Sequence, residues 1–271
     1  MDLVLALVII GGMGLFFGGV LAFAANKFAV EEDARVETIC DLLPGANCGA
    51  CGFPGCVAFA EQVVTGAAPV SACIPGGKST CDSVCEVLGV ESVASETKKI
   101  AEVYCIGSPD VAPDKFEYQG VQECKAAQSM GGGFKACKYG CLGLGDCARA
   151  CPFDGVVMGK DKLPKIDLAR CTACGSCVKA CPRDIIRVVN ADRIGKTVLC
   201  NSKDRGKATR QACEVGCTGC KACVKACPRE AIVVQDNLAY IDSSKCDDCG
   251  ECVEKCPRDI IKDVSKVPVG S

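Results

Sequence analysis

Four runs of cysteine in the second half of the chain each end in Cys-Pro, and they restrict the fold more than any other feature. The runs extend over 137–151, 171–181, 217–227 and 246–256. The last three have the spacing C-x2-C-x2-C-x3-C-P, in which three thiolates bind one [4Fe-4S] cluster and the fourth binds a neighbouring cluster. The pattern therefore predicts a chain that carries electrons.

The composition excludes several other classes of protein. The chain has 27 cysteines, no His and no Trp, and only 5% of its residues are aromatic, so it lacks both a core of large side chains and the commonest general base. The cysteine number is odd and the cysteines cluster in C-x2-C steps, which disfavours disulfides and indicates a reducing, cytosolic environment. The formal net charge of −2 gives no basic field for nucleic acid. We expect no catalytic side chains and no nucleic-acid partner.

The first 27 residues have the pattern of a membrane anchor. Leu3 to Ala25 is a run of 23 residues without a charge or a proline, which is long enough to span a hydrocarbon core of about 30 Å. A secretory signal peptide is the alternative, but no basic stretch precedes Leu3 and the apolar run is too long for one. We predict one transmembrane helix in residues 1–27, with the rest of the chain on the cytosolic side of the cell membrane.

A second cysteine motif follows the anchor, in a domain predicted over 31–90. The spacing C-x2-C-x4-C-x16-C provides four thiolates, and the glycines between them allow the backbone to bend around a cluster. Val57 to Thr65 is predicted to be a short helix that returns the chain to the fourth ligand. A structural zinc site is the alternative, since four cysteines also suit tetrahedral zinc. The four predicted ligands are Cys48, Cys51, Cys56 and Cys73.

The segment 91–123 is less regular, and we interpret it as a connection between domains. It contains a strand-like stretch from Ile100 to Ile106 and a loop marked by Pro109 and Pro113. Several cysteines here and elsewhere have no recognised ligand spacing, so they either bind a sixth cluster or are structural thiols. These are Cys81, Cys85, Cys105, Cys124, Cys200 and Cys213.

The remainder of the chain is an internal duplication. Cysteines from Cys124 to Cys151 recur 76 residues later, from Cys200 to Cys227, and those of the 171–181 run recur 75 residues later. The stretches CTACGSCVKACPRDII and CDDCGECVEKCPRDII share 11 of 16 residues, so the repeat does not depend on cysteine alone. We predict two tandem α+β domains of the bacterial two-cluster ferredoxin type, at 124–192 and 193–265.

In a two-cluster ferredoxin the last cysteine of each run binds the cluster of the other run. With the motif that follows the anchor, this gives five expected [4Fe-4S] clusters, and a sixth is left open. The expected sets in the two domains are Cys137, Cys141, Cys147 with Cys181; Cys171, Cys174, Cys177 with Cys151; Cys217, Cys220, Cys223 with Cys256; and Cys246, Cys249, Cys252 with Cys227.

One position departs from the repeat. Leu144 stands where the second copy has Cys220. We expect Cys137 to replace the missing ligand, since it lies within about one helical turn of Cys141. The alternatives are a three-iron cluster or no cluster at this site.

The order of the anchor, the C-x2-C-x4-C-x16-C motif and domains containing YGCLGLGDCARACPFDG resembles the B subunits of the Rnf complexes. These complexes are membrane-bound ferredoxin:NAD+ oxidoreductases that couple electron flow to Na+ or H+ transport. The resemblance covers essentially the whole chain and corresponds to the longer form with two ferredoxin domains. It implies that the chain takes electrons from soluble ferredoxin and passes them to integral-membrane partner subunits.

Other interpretations are weaker but distinct. A cluster-bearing subunit of a membrane hydrogenase or dehydrogenase would explain the ferredoxin repeats but not the C-x2-C-x4-C-x16-C motif. That motif is also similar to the cluster site of corrinoid iron–sulfur proteins, whose large cofactor domain has no counterpart here. A zinc-stapled interaction module is the non-redox alternative. The basic segment 193–210 would suit an acidic ferredoxin, or is simply a solvated loop.

Overall fold

The computed structural model describes residues 2–27, 33–92, 98–191 and 195–264. The chain begins with α1 (Asp2–Lys27), of which the side chains of residues 8–24 and Lys27 are described. The large apolar side chains in this stretch, from Val8 to Phe23, are exposed. Within the parts so described, no helix combines the length and the apolarity that a membrane crossing requires.

A small helical domain surrounds the first cysteine motif. Its core contains Ile39, Phe59 and Val84, and the Asp33 side chain caps its first helix by accepting a hydrogen bond from the Arg35 N–H at 2.9 Å. The helix predicted from residue 57 to residue 65 is confirmed within one residue at each end. The elements are α2 (Ala34–Leu42), α3 (Cys56–Val64), a 3-10 turn at Val70–Ala72 and α4 (Gly77–Leu88).

The rest of the described chain forms two modules of one α+β architecture, each with two antiparallel strand pairs and three short helices. Module 1 contains β1 (Lys99–Val103), α5 (Cys124–Ser129), α6 (Asp146–Arg149), β2 (Val156–Met158), β3 (Pro164–Ile166), α7 (Ser176–Ala180) and β4 (Ile186–Asn190). Module 2 contains β5 (Lys196–Val198), α8 (Gly206–Ala212), α9 (Ala222–Ala226), β6 (Ile232–Gln235), β7 (Leu238–Ile241), α10 (Glu251–Glu254) and β8 (Ile261–Asp263).

The strand pairing is the same in both modules. The first strand pairs with the last, β1 with β4 and β5 with β8, and the two middle strands pair with each other. The buried residues also correspond, because Leu163 and Ile185 of module 1 have the same places as Leu238 and Ile260 of module 2. The internal duplication in the sequence is thus a duplication of structure.

Module 1 begins earlier than the sequence suggested. The segment 91–123 was expected to be a connection, yet β1 lies in it and pairs with β4 over five residues, from Lys99 opposite Asn190 to Val103 opposite Ile186. The strand-like character of this stretch is confirmed, but its partner lies far along the chain. The predicted boundary at residue 124 therefore leaves out the first strand of the module.

The expected correspondence of Cys124 with Cys200 is also wrong. Cys124 is the first residue of α5, whereas Cys200 follows β5. The residue that follows β1 in the same way is Cys105, so Cys105 and Cys200 are the structural equivalents. The 76-residue spacing of Cys124 and Cys200 is a coincidence of sequence.

Substitution of Ile260 tests how much these small cores contribute to the free energy of unfolding. Its side chain is 2% exposed, and replacing a buried Ile with Ala typically costs about 2–5 kcal/mol. We expect Ile260→Ala to lower the free energy of unfolding of the cluster-loaded protein by that amount, measured anaerobically in urea. Val233→Ala is the control, since Val233 is 49% exposed and should change stability by no more than about 0.5 kcal/mol. Equal effects of the two substitutions would contradict this account of the core.

Candidate iron–sulfur cluster sites

The four cysteines of the first motif line one cavity beneath α3. The backbone reaches this arrangement through Gly49 and Gly52, which have φ values of 66° and 90° that favour glycine. The Asn47 side chain accepts a hydrogen bond from the Cys56 N–H at 2.8 Å and fixes the loop against the start of the helix. Leu43, Pro44 and Phe59 supply apolar walls. The structure thus brings together Cys48, Cys51, Cys56 and Cys73.

In module 2 the last cysteine of each run crosses to the other site. Cys256 lines one cavity with the first three cysteines of the 217–227 run. Burial and, after it, the neighbouring thiols of Cys217, Cys256 and Cys220 together raise the pKa of Cys223 to about 11. At the other site, burial raises the pKa of Cys252, and the surrounding thiols that add to this effect are Cys246, Cys249 and Cys227.

Module 1 repeats this arrangement at its second run. Burial and, after it, the thiols of Cys171, Cys174 and Cys151 together raise the pKa of Cys177 to about 11. The Cys171 sulfur accepts a hydrogen bond from the Ala101 N–H at 3.3 Å. Cys151 has therefore crossed from its own run, as expected for a two-cluster ferredoxin.

The first run of module 1 departs from the expectation. The cavity there is lined by Cys141, Cys147 and Cys181, as predicted, but the fourth cysteine is Cys124 and not Cys137. The pKa of Cys147 is raised to about 12, chiefly by burial and next by the neighbouring thiol of Cys124.

The position of Cys124 explains why its thiol replaces the ligand that is missing at Leu144. Cys124 begins α5, where burial raises the pKa of its thiol and the nearby backbone N–H groups of Asp146 and Leu144 oppose that rise. The next residue, Lys125, donates its N–H to the Asp146 side chain at 3.2 Å. The start of α5 thus rests on the loop that would carry the missing ligand, while the Leu144 side chain packs against the small core that contains Cys124 and Phe134. No spacing rule could identify Cys124, because this contact is tertiary.

Three stretches of the chain match known iron–sulfur families. Residues 43–75 match a family described as a putative Fe-S cluster. Residues 164–187 match the 4Fe-4S binding domain, and residues 216–261 match the 4Fe-4S dicluster domain. Each matched stretch contains cysteines that the structure brings together.

Proteins of known complexes match most of the chain. It is 47% identical over 239 residues to the B subunit of the Na+-translocating ferredoxin:NAD+ oxidoreductase complex of Acetobacterium woodii, with 88% of this chain and 71% of the relative covered. The chain belongs to this B-subunit family. It is also 45% identical to the B subunit of the proton-translocating complex of Clostridium ljungdahlii, covering 90% and 85% of the two chains. The B subunit of the ion-translocating oxidoreductase complex of Methanosarcina acetivorans is 41% identical, with 90% and 92% covered.

As a member of the Rnf B-subunit family, the chain contains multiple [4Fe-4S] clusters. The structure suits such groups, because the cavities at Cys48 and Cys217 combine four thiols with apolar side chains. At other sites the backbone N–H groups of Gly155 and Ala231 donate to the sulfurs of Cys151 and Cys227. Among the described residues, no three Cys, Asp or Glu side chains are close enough to share a single metal ion.

A buried cation lies against the Cys124 site of this protein. Arg183, which is only 7% exposed, lines the cavity. Its guanidinium donates hydrogen bonds to the carbonyl oxygens of Cys137 at 2.6 Å, Gly140 at 2.8 Å and Gly132 at 2.6 Å, and to Gln128 Oε1 at 2.9 Å. Burial lowers the pKa of Arg183, and the neighbouring thiols oppose this shift. A fixed positive charge at this place favours the reduced, more negative form of a cluster.

The unassigned thiols fall into two groups. Cys81 and Cys85 are buried one turn apart on α4, and Cys40 lies near the end of α2, where burial raises its pKa. Cys105, Cys137, Cys200 and Cys213 lie instead where the two modules meet.

A cleft of about 490 Å³ opens between the two modules of this Rnf-family chain. Charged groups of opposite sign line it, including Glu102, Arg187, Lys196 and Asp248. Arg187 is engaged there, since it donates to Asn201 Oδ1 at 2.6 Å and stacks over the Tyr104 ring at 4.5 Å. Residues 192–194, which precede the lining residue Gly195 in the sequence, lie outside the described part of the chain.

Replacing Arg183 tests whether a buried positive charge contributes more to stability and to cluster potential than an exposed one. Arg183→Met would leave one buried and two partly buried carbonyl groups without their donor, so we expect a loss of about 3 kcal/mol or more in unfolding free energy. We also expect the reduction potential of one cluster to become more negative in an EPR-monitored titration. Arg229→Met is the control, because Arg229 forms an exposed ion pair with Asp247 at 2.7 Å worth at most about 1 kcal/mol. An unchanged set of potentials in Arg183→Met would refute the electrostatic role.

Proposed function

We propose that this chain is the electron-transfer subunit of a membrane-bound, ion-translocating ferredoxin:NAD+ oxidoreductase. It accepts electrons from reduced ferredoxin and passes them through [4Fe-4S] clusters to membrane subunits. The observation that carries this proposal is the crossed grouping of cysteines in both modules, in which Cys256 joins the run that begins at Cys217. The names of the relatives support the same activity.

We propose five clusters held by twenty cysteines, one in the helical domain and two in each module. Nineteen of the ligands are those expected from the sequence, and Cys124 replaces Cys137. The proposed sets are Cys48, Cys51, Cys56, Cys73; Cys124, Cys141, Cys147, Cys181; Cys151, Cys171, Cys174, Cys177; Cys217, Cys220, Cys223, Cys256; and Cys227, Cys246, Cys249, Cys252. The chain's own part in electron transfer is to hold these groups at fixed separations.

The surface around Cys220 suits a ferredoxin as the electron donor. Cys220 is exposed, and α8 begins beside its loop, because a Cβ on Gly206 would lie 2.9 Å from the Thr218 carbonyl oxygen. Not all cations of the segment 193–210 are available, since Lys196 pairs with Asp263 at 2.7 Å and Arg193 lies outside the described residues. Four others are exposed around α8, which we call the α8 cations: Lys203, Arg205, Lys207 and Arg210.

Charge reversal in the α8 cations tests this docking surface. We expect Lys203→Glu combined with Lys207→Glu to slow reduction of the chain by reduced acidic ferredoxin about tenfold or more at low salt, because the steering field is reversed. The difference should shrink as ionic strength rises. Stopped-flow absorbance under anaerobic conditions measures the rate, and Lys160→Glu, an exposed Lys between β2 and β3, is the control. If wild-type protein were not reduced by ferredoxin at all, the proposed function itself would fail.

The helical domain is suited to pass electrons toward the membrane. Its cluster loop contacts module 1, where Lys179 on α7 donates a hydrogen bond to the Gly49 carbonyl oxygen at 3.3 Å. We propose that residues 1–27 anchor the chain in the cell membrane, with the clusters on the cytosolic side. The uncharged run from Leu3 to Ala25 and the exposed apolar side chains of α1 support this anchor.

Membrane extraction tests the anchor directly. We expect the full chain to remain in the membrane fraction after alkaline carbonate treatment, because a run of about 20 apolar residues is retained by the hydrocarbon core. A variant with Leu15→Arg and Phe16→Asp should be released, since each charge at the centre of the helix costs about 2.5–3.5 kcal/mol. Release of the wild-type chain by carbonate would contradict the anchor but leave the electron relay untouched.

A further inference from the structure

Cys105 and Cys200 occupy the same place in the two modules. Each follows the first strand of its module by two residues. The Cys105 sulfur accepts hydrogen bonds from the Gly107 N–H at 3.4 Å and the Cys141 N–H at 3.3 Å. The Cys200 sulfur accepts them from the Ser202 N–H at 3.5 Å and the Cys217 N–H at 3.4 Å. Each sulfur therefore has two backbone donors in the same relative positions.

Cys137 and Cys213 form a second equivalent pair. Both are buried, with exposed fractions of 7% and 8%. The carbonyl oxygen of Cys137 accepts a hydrogen bond from Arg183 at 2.6 Å, and that of Cys213 accepts one from Arg258 at 2.9 Å. Arg183 and Arg258 stand at the same position of the repeated Cys-Pro-Arg-Asp sequence. The four thiols are thus two pairs of structural equivalents, and each pair has one thiol in each module.

The two pairs meet at the contact between the modules. A Cβ on Gly107 would lie 3.6 Å from the Cys105 sulfur and 3.5 Å from the Cys213 sulfur, so thiols from different modules face one another there. The modules are held at this point by a hydrogen bond from the Glu214 N–H to the Val111 carbonyl oxygen at 2.8 Å. An ion pair between Lys138 and Asp204 at 2.9 Å lies nearby.

Electrostatic coupling is consistent with this grouping. Burial raises the pKa of Cys105, and the thiols of Cys137 and Cys213 add to the shift. Burial likewise raises the pKa of Cys213, with Cys137 adding to it and Arg258 opposing it. Burial raises the pKa of Cys200 to about 12, and Cys105 is among the thiols that contribute.

Such a group has the chemistry of a cluster site. Four thiols, backbone N–H donors to sulfur and two nearby guanidinium groups are what a buried anionic iron–sulfur cluster requires. Ala112, whose side chain lies 3.2 Å from a Cβ on Gly107, and Ile106, packed against the core of module 2, supply apolar surroundings. We propose that Cys105, Cys137, Cys200 and Cys213 bind a sixth [4Fe-4S] cluster that bridges the two modules.

This site deepens the proposed function, on which it rests. A cluster held by these four thiols would lie between the Cys217 and Cys124 sites. It would take up one electron as a cluster at the Cys217 site is oxidised by one electron, and would give one electron to a cluster at the Cys124 site. Hydrogen bonds connect the three sites, because the Cys200 sulfur accepts one from the Cys217 N–H and the Cys105 sulfur accepts one from the Cys141 N–H. The bridge would join the four clusters of the modules into one path.

Iron and acid-labile sulfide counts on the full, anaerobically purified and reconstituted chain test the proposal. Six clusters give about 24 iron and about 24 sulfide for each polypeptide, against about 20 of each for five. We expect Cys105→Ala with Cys200→Ala to lose about four of each. The matched control, Cys81→Ala with Cys85→Ala, should lose none, because those thiols lie in α4 of the helical domain.

A triple variant tests whether Cys137 shares this site. Adding Cys137→Ala to Cys105→Ala and Cys200→Ala should remove no further iron, whereas adding Cys124→Ala should remove more. Further loss with Cys137→Ala would return Cys137 to the Cys141 site and overturn the proposal. A wild-type count of about 20 iron that is unchanged in the Cys105 and Cys200 double variant would also overturn the proposal. So would about one zinc ion for each wild-type chain that is lost in the double variant. The wild-type count decides even if a variant fails to fold. Reduction by ferredoxin tests the relay separately, since five clusters would still accept electrons.

Discussion

Ligation of thiolates to iron is the interaction on which the rest of this structure depends. Among its described residues, each module has only two-stranded sheets and a core of a few medium-sized side chains, such as Leu238 and Ile260 in module 2. Such sheets are marginal in water on their own, and the free energy of binding a structural metal group is at the same time free energy of folding. Because the last cysteine of each run crosses over, each cluster of the modules would also connect segments that are distant in sequence. The clusters that carry electrons therefore also stabilise the fold.

Burying several anionic groups in a small protein requires compensation from the chain, and two kinds are present. Backbone N–H groups point at sulfur, as at Cys105 and Cys171, which stabilises the thiolate without adding a titratable group. Arg183 supplies a full positive charge and at the same time satisfies the carbonyl groups of the loop that carries Cys137. Folding and the tuning of cluster potentials are thus carried out by the same contacts, so a change in one is expected to change the other.

The sequence was most informative where ligands follow one another at fixed short spacing. The three regular runs, the first motif and the crossing of the last cysteines all depend on local geometry, and the structure groups these thiols as expected. Cys124 could not be identified in this way, since it reaches the Cys141 site through the contact of α5 with the loop at Leu144. The pairing of β1 with β4 was missed for the same reason, because Lys99 and Asn190 are neighbours only after folding. The constant 76-residue spacing of the repeat also gave a wrong correspondence, because it matched Cys200 with Cys124 and not with Cys105.

The short stretch between the two modules has a kinetic consequence. β4 ends at Asn190 and β5 begins at Lys196, so only five residues separate them. A chain of this length spans at most about 20 Å, which makes the second module a permanently tethered redox partner of the first. Its effective concentration is set by the tether and not by diffusion. Electron exchange inside the chain is then independent of protein concentration, and only the arrival of an external carrier remains a bimolecular event.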